Sequence, residues 1–392
     1  MKIAYFSYVY EKDGGYIHTR EFLSAMARLG YDVEVLWQNQ APDSAGGVSA
    51  RRRVRDFLKK HLSRWLHDIR EILLNIPFGL REKRFLARVW PDVVIIRQAT
   101  SKVSGLLAAR SLNIPVVLEI NAPGTLEEKT YEHGYWHPPL LPEWIERYTI
   151  RRADAIITVS GALRRYLSRV HGVPPDRIHV NPNGVDLKRF DPDRTKPARV
   201  QSVPDDAVVV GFCASFQAFH GVERIIQIAR SLADVERLHF LLVGDGPARA
   251  GLQRQILAAG LERRITMVGR VPHDEVPAYL ALMDIGLLPG TAWYCSPIKV
   301  LEYMAMRLPV IAPRHDPIVE IVENDTHGLL FAPEDLQDLT GCIRRLAADP
   351  DARQRMSIAA RERVVGMLTW EHNARRVKRV CDQVAPRSSS WC

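Results

Sequence analysis

Val208-Val209-Val210-Gly211-Phe212-Cys213-Ala214-Ser215-Phe216-Gln217-Ala218-Phe219-His220-Gly221-Val222-Glu223 decides the fold. Its first five residues are apolar without alternation, so a strand made of them must be covered on both faces. A loop bearing a hydroxyl and an imidazole follows, then a helix-like stretch from Val222 to Leu232. A strand buried on both sides that feeds a helix is the unit of a parallel, doubly wound sheet. The unit recurs in both directions. Downstream the apolar runs are His239–Gly244, Ile265–Val268, Ile285–Leu288, Pro309–Ala312 and Gly328–Phe331. Upstream they are Ile3–Tyr10, Val33–Gln38, Val93–Arg97, Val116–Asn121, Ala155–Ser160 and Ile178–Asn181. A stretch rich in Pro, Asp and Arg, from about Asp186 to Asp206, separates the two series. The chain therefore reads as α/β, with two Rossmann-like domains at 1–190 and 207–369 and a linker at 191–206. Ligands of such sheets bind beyond the carboxyl ends of the strands, where the strand order reverses, which places the expected ligand in a cleft between the domains.

The chain has 392 residues, 46% hydrophobic and 25% charged, which is ordinary for globular domains and allows each half its own core. Cys213, Cys295, Cys342, Cys381 and Cys392 make no CxxC pair or zinc-like spacing, as expected of free thiols in a reducing compartment. Met1–Ser7 runs directly into a strand, without the charged and apolar regions of a signal peptide. No apolar run reaches the ~18–20 residues of a membrane span. A soluble, cytoplasmic protein is expected.

The net charge of +9 is concentrated. Between Arg51 and Arg88 twelve basic residues face four acidic ones, so this stretch holds nearly the whole excess. One local anionic partner is expected, and a nucleic acid is not. Phe57, Leu58, Leu62, Trp65, Leu66, Ile69, Ile72 and Leu73 recur at helical spacing among the basic residues. Such a helix could lie on an anionic membrane, peripherally at its inner face, and receive a lipid-linked glycan acceptor. The competing reading is a domain helix whose apolar face is core.

The chemistry-bearing motifs follow strands. Asp13-Gly14-Gly15-Tyr16-Ile17-His18 precedes a helix expected from about Thr19 to Leu29; Gly14 and Gly15 permit close backbone approach, and the helix start offers N–H groups to a phosphate. The alternative is a plain turn with a surface histidine. Asn121 ends the fourth strand run, where it could bond a sugar hydroxyl or form an Asx turn into Pro123. Asn183-Gly184 is read as a tight turn with positive φ. Ser215 and His220, with the helix after them, could bind a diphosphate, or the loop could simply be solvated. Gly244 and Gly246 in Leu242-Val243-Gly244-Asp245-Gly246-Pro247 allow close approach of a ligand or mark an ordinary turn.

The weightiest motif is Ser296-Pro297-Ile298-Lys299-Val300-Leu301-Glu302-Tyr303-Met304-Ala305-Met306. Ser296 reads as an N-cap and Pro297 as the first helical residue. Lys299 in the first turn opposes the helix dipole by ~0.3–1 kcal/mol unless an anion sits there. Glu302 could accept both hydroxyls of a ribose. The bland alternative is a solvated Lys299–Glu302 ion pair. Ser296, Lys299, Val300 and Glu302 are assigned to donor binding. The Asp-Pro-Asp triplets at Asp191–Asp193 and Asp349–Asp351 lie in loops and are read as turns, with no metal expected.

In this order the motifs resemble glycosyltransferase family four, retaining enzymes of GT-B fold. Arg152-Ala153-Asp154-Ala155-Ile156-Ile157-Thr158-Val159-Ser160, Asn183-Gly184-Val185-Asp186 and Thr369-Trp370-Glu371 complete the resemblance, which spans the chain. It implies a nucleotide-sugar donor, with a UDP-sugar ahead of a GDP-sugar, a sugar or glycan acceptor, and no other cofactor. It implies that Glu302 binds ribose, that Arg270 and Val271 present backbone to the base, and that 370–392 forms a helix crossing back to the first domain. His18, Asn121, His220 and Lys299 then fall at catalytic positions. The family's first glutamate falls at Tyr294, its diphosphate-binding Arg and Lys near Ser215 and His220, and its histidine after strand four at Asn121; Lys299 is expected to replace the lost charge. Sugar-nucleotide epimerases, hydrolases and non-catalytic binders share the fold and remain the competing functions.

Overall fold

A computed structural model describes residues 1–9, 14–38, 64–131 and 140–385. The chain divides into two compact units. One comprises Met1–Asn181 with the chain from Asn373 onward, the other Pro182–His372.

The first unit is built on β1 (Lys2–Ser7), β2 (Asp32–Trp37), β3 (Val93–Arg97), β4 (Val116–Ile120), β5 (Ala155–Thr158) and β6 (Ile178–Val180). All pairings are parallel, in the order β2-β1-β3-β4-β5-β6. Ile3, Phe6, Val94, Leu118 and Ile156 are buried, as strands covered on both faces require. Each such side chain contributes about 1.5–3 kcal/mol by leaving water. The order reverses between β1 and β3, so the carboxyl ends of these strands open the crevice where ligands of such sheets bind.

The second unit repeats the plan with β7 (Val208–Cys213), β8 (Leu238–Val243), β9 (Ile265–Gly269), β10 (Ile285–Leu287), β11 (Val310–Pro313) and β12 (Gly328–Phe331). They order as β12-β11-β10-β7-β8-β9, and the reversal lies between β7 and β10. The two-domain α/β architecture is the GT-B fold expected from the sequence.

The boundary expected at 190 falls earlier in the structure. Val185 and Phe190 are buried in the second unit's core, and Val185 pairs with Thr369. Residues 191–206 also belong to that unit: Val200 and Val203 pack against the same core, and the Ala198 N–H donates to the Ala278 carbonyl (2.8 Å). Apolar residues in this stretch outweigh its loop-like composition. Gly184 is not a positive-φ turn residue. Glycine is needed because a Cβ there would lie 2.4 Å from the Trp370 nitrogen. The helix Trp370–Val384 begins in the second unit. Beyond His372 it groups with the first, where Arg376 Nε donates to Asn181 Oδ1 (2.7 Å).

Of the basic amphipathic stretch, Phe57, Leu58 and Leu62 lie outside the described residues. Helices Arg64–Leu73 and Asn75–Val89 follow. Their corner is stapled to the loop after β3. Asn75 Oδ1 accepts from the Val103 and Ser104 N–H groups, and Lys102 Nζ donates to the carbonyl and carboxylate of Glu71. One face of 75–89 is core, through Phe85, Leu86 and Val89. The other exposes Ile76 and Leu80, and Leu73 is exposed beside them. Among the described residues no helix is long and apolar enough to cross a membrane.

Candidate active site

At the reversal point of the second sheet, the loop after β7 makes a short 3-10 turn, Ala218–His220, that turns His220 into the interior. The chain after β10 leads into the helix Ile298–Ala305, with Lys299 in its first turn. Lys299 Nζ lies 2.9 Å from His220 Nε2. An ammonium can only donate, so Nε2 accepts and the imidazole is neutral. Burial, reinforced by the Lys299 charge, pushes His220 down to about 2. Burial also pulls Lys299 down to about 8, against the opposing pull of Cys295, Glu302 and Cys213.

Pro297, not Ser296, occupies the N-cap of this helix, and no side chain caps it. Pro297 takes the extended backbone of a cap, which leaves Ser296 one residue outside. The Ser296 carbonyl accepts from Asn183 Nδ2 (2.6 Å), while its buried hydroxyl has no partner among the described residues. Among the described residues the Thr291 hydroxyl is likewise unpartnered. A buried hydroxyl left unbonded costs about 1–3 kcal/mol, which a ligand oxygen would recover. An ammonium, two buried hydroxyls and a helix N-terminus thus lie along the one loop-to-helix stretch 291–299, and all are donors of the kind an anion site uses. Val300 adds nothing to it: its side chain is core, and its N–H bonds the Pro297 carbonyl.

Glu302 and Lys299 do not form the bland surface pair. Glu302 Oε1 instead accepts from His273 Nε2 at 2.8 Å, with only 9% of the carboxylate side chain exposed. Arg189 NH1 stands 3.2 Å from His273 Nδ1. A guanidinium only donates, so Nδ1 accepts and the Nε2 proton faces Glu302. Arg189 is held in turn by Asp274 at 3.0 Å. Replacing His273 by Ala is expected to free the carboxylate and weaken about tenfold the binding of a ligand held by Glu302, the worth of one charged hydrogen bond. Titration calorimetry reads this, and wild-type affinity would refute it.

Ser215 is exposed on the loop after β7, and Arg270 is exposed after β9. The Val271 side chain packs against the core. Gly244, with φ +144°, makes room for its own chain: a Cβ there would stand 1.8 Å from the Ala214 carbonyl oxygen. Tyr294, at the position of the expected first glutamate, is buried with its ring edge-to-face on Trp293. The Asp triplets serve the fold. Asp193 pairs with Arg307, and Asp349 caps the helix Pro350–Met367.

In the first unit β1, β3 and β4 end on a shared polar cluster. Glu119 Oε1 accepts from His18 Nε2 (2.7 Å), Arg97 NH1 (2.8 Å) and Asn121 Nδ2 (2.9 Å), and Oε2 accepts from the Tyr5 hydroxyl (2.7 Å). Burial alone would raise this carboxyl. The charges of His18 and Arg97 overcome burial and hold it well below the usual carboxylate range. Gly14 and Gly15 open the helix Gly14–Arg28 rather than preceding it, so His18 lies in its second turn. The cluster gathers His18 and Asn121 as the sequence reading wanted, around two residues it missed, Arg97 and Glu119. A lone carboxylate between Leu118 and Ile120 was the available signal, because a charge in a buried strand needs partners.

Two sequence profiles cover most of the chain: Glycosyltransferase Family 4 matches residues 13–189, and Glycosyl transferases group 1 matches residues 193–363. Alpha-D-kanosaminyltransferase of Streptomyces kanamyceticus is 29% identical over 262 residues, 64% of this chain and 66% of that protein. MMP alpha-(1->4)-mannosyltransferase of Mycolicibacterium hassiacum is 23% identical over 419 residues, with 99% of both chains covered. Among solved structures, sucrose-phosphate synthase from Thermosynechococcus elongatus superposes with a TM-score of 0.74 at 20% identity, covering 98% of each chain. HepE of Anabaena in complex with UDP superposes with a TM-score of 0.71 at 17% identity, covering 98% of this chain and 100% of that one. With the sheet orders and the two polar clusters at their reversal points, these matches make the chain a glycosyltransferase of the family-4-like, two-domain GT-B kind.

Proposed function

We propose that the protein transfers a sugar from a nucleoside diphosphate, with UDP ahead of GDP, to an acceptor hydroxyl, retaining the anomeric configuration. The observation that carries this is the Lys299 ammonium set on neutral His220 in the first turn of a helix, with the buried Ser296 and Thr291 hydroxyls of the preceding loop unpartnered among the described residues. That group of donors fits a diphosphate whose negative charge grows as the sugar departs. Glu302, steadied by His273, takes the ribose diol, and the backbone at Arg270 and Val271 faces the base. His18, Arg97 and Asn121 are assigned to the sugar and acceptor. The leaving diphosphate takes the acceptor proton in a front-face displacement, so no carboxylate nucleophile is required. The HepE structures with UDP and UDP-glucose support the donor choice by likeness of fold alone.

A thermal-shift screen of UDP-, GDP-, ADP- and TDP-sugars tests the reading, followed by an acceptor assay with the best binder. A UDP-sugar should raise the melting temperature most, and transfer should need the acceptor. Turnover of the donor without any acceptor would favour an epimerase or hydrolase; binding without turnover would favour a sensor. A product of inverted configuration would exclude the front-face route.

The exposed side of residues 73–90 supports an anionic membrane surface as a partner, with a lipid-linked acceptor. Leu73, Ile76, Leu80 and Trp90 stand there with Arg81, Lys83, Arg84 and Arg88, while the segment's acidic Glu82 is buried. Each basic residue near an anionic bilayer is worth about 1 kcal/mol. Vesicles containing phosphatidylserine should sediment the protein, and neutral vesicles should not. Reversing Arg84 and Arg88 to Glu should abolish sedimentation; equal binding to both vesicle types would sink the proposal.

A further inference from the structure

Glu119 brings together groups from four separate parts of the first unit: Tyr5 on β1, His18 on the helix Gly14–Arg28, Arg97 on β3 and Asn121 in the turn after β4. Burying an isolated carboxylate costs several kcal/mol, and a charged, fourfold-bonded one persists only where its partners are fixed. The converse follows: the carboxylate fixes them. The titratable or charged groups facing it are Tyr5, His18 and Arg97, and Thr19 adds a hydroxyl beside Tyr5. Burial and the facing carboxylate keep the Tyr5 phenol neutral, so it remains a donor.

We propose that Glu119 is a positioning residue for the transfer described above, setting His18, Arg97 and Asn121 as one unit and committing the His18 Nε2 proton. Any hydrogen bond from His18 to a sugar must then run through Nδ1. The adjacent negative charge favours the imidazolium, and burial of the ring opposes it. Arg97, which is always charged, opposes the imidazolium from the same carboxylate oxygen.

The test uses the full chain and Glu119→Gln, which keeps the size of the side chain and removes its charge. The amide oxygen can still accept from His18, Arg97 and Asn121, while the NH2 faces the Tyr5 hydroxyl, which can accept. Histidine resonances in labelled protein report protonation directly, with His18 identified by the signal missing in His18→Asn. The His18 midpoint should fall by at least one pH unit in Glu119→Gln. The alkaline limb of the kcat profile should move down with it, and kcat should fall at least tenfold while donor KM changes little. Glu119→Asp, which keeps the charge on a shorter arm, should restore the midpoint more than the rate. Circular dichroism confirms that each variant is folded. An unchanged midpoint overturns the proposal, as does a shifted midpoint with wild-type kcat and pH profile. If the wild type transfers no sugar from any donor, the transferase reading fails on its own, and the resonance titration still decides whether Glu119 governs His18.

Discussion

Replacing Lys299 by Met is expected to leave a folded protein whose sugar-transfer kcat falls by roughly 10²–10³. That is the usual cost of deleting one preorganised donor to a developing negative charge, ~3–4 kcal/mol. Nucleotide affinity should fall less, because the helix N-terminus and the two hydroxyls remain. The free protein should be no less stable than wild type. Lys299 titrates at about 8 instead of near its ordinary value, so the native state holds that charge reluctantly. The sign is definite. Through the window between about 8 and the ordinary lysine range, the unfolded chain keeps a proton that the native state has released. Rising pH therefore favours the native state in that window, and Met removes the effect. Donor binding runs the other way. A bound diphosphate holds the ammonium protonated, so affinity should be flat below pH ~8 and weaken by up to tenfold per unit above it. Calorimetry from pH 7 to 10 on wild type and Lys299→Met separates the two, and a pH-independent wild type would contradict the role given to Lys299.

Gly244→Ala should be the most damaging single methyl in the second unit. Its φ of +144° is closed to most side chains, and the Ala214 carbonyl lies 1.8 Å from where the Cβ would go. A backbone atom cannot swing aside as a side-chain tip can. Either β8 or the loop after β7 must shift, at a cost of about 3 kcal/mol or more. That loop carries Ser215 and leads to His220, so nucleotide binding should be lost together with stability. Gly251→Ala is the control. Gly251 lies within the helix Arg249–Ala259, where a Cβ meets nothing within 4 Å. It should be neutral or stabilising by up to about 1 kcal/mol. Urea unfolding of both variants decides; equal midpoints would mean that the contact at Ala214 has been misjudged.

The two sheets were legible because a parallel strand buried on both faces writes itself as a continuous apolar run. The site was legible only where its residues follow one another. Lys299 and Glu302 share a helix that Ser296 precedes by two residues, and their spacing exposed them. His273 and Arg189 were missed because His273 meets Glu302 from a distant stretch and Arg189 meets His273 from another, and nothing local marks a histidine as the partner of a carboxylate 29 residues away. Arg97 and Glu119 were missed for a related reason: they are neighbours by strand pairing, Arg97 opposite Glu119 in the β3–β4 register. Cap assignment failed by one residue at Ser296 because proline served as the cap with its backbone alone.

The neutral imidazole under Lys299 bears on turnover. Because His220 adds no second charge, the pocket distinguishes anions mainly by how strongly each one engages a single ammonium. Once the sugar has left, the nucleoside diphosphate carries more negative charge than it did as an ester, which makes the spent nucleotide the tighter ligand. Product inhibition should therefore be strong at neutral pH and relax under alkaline conditions.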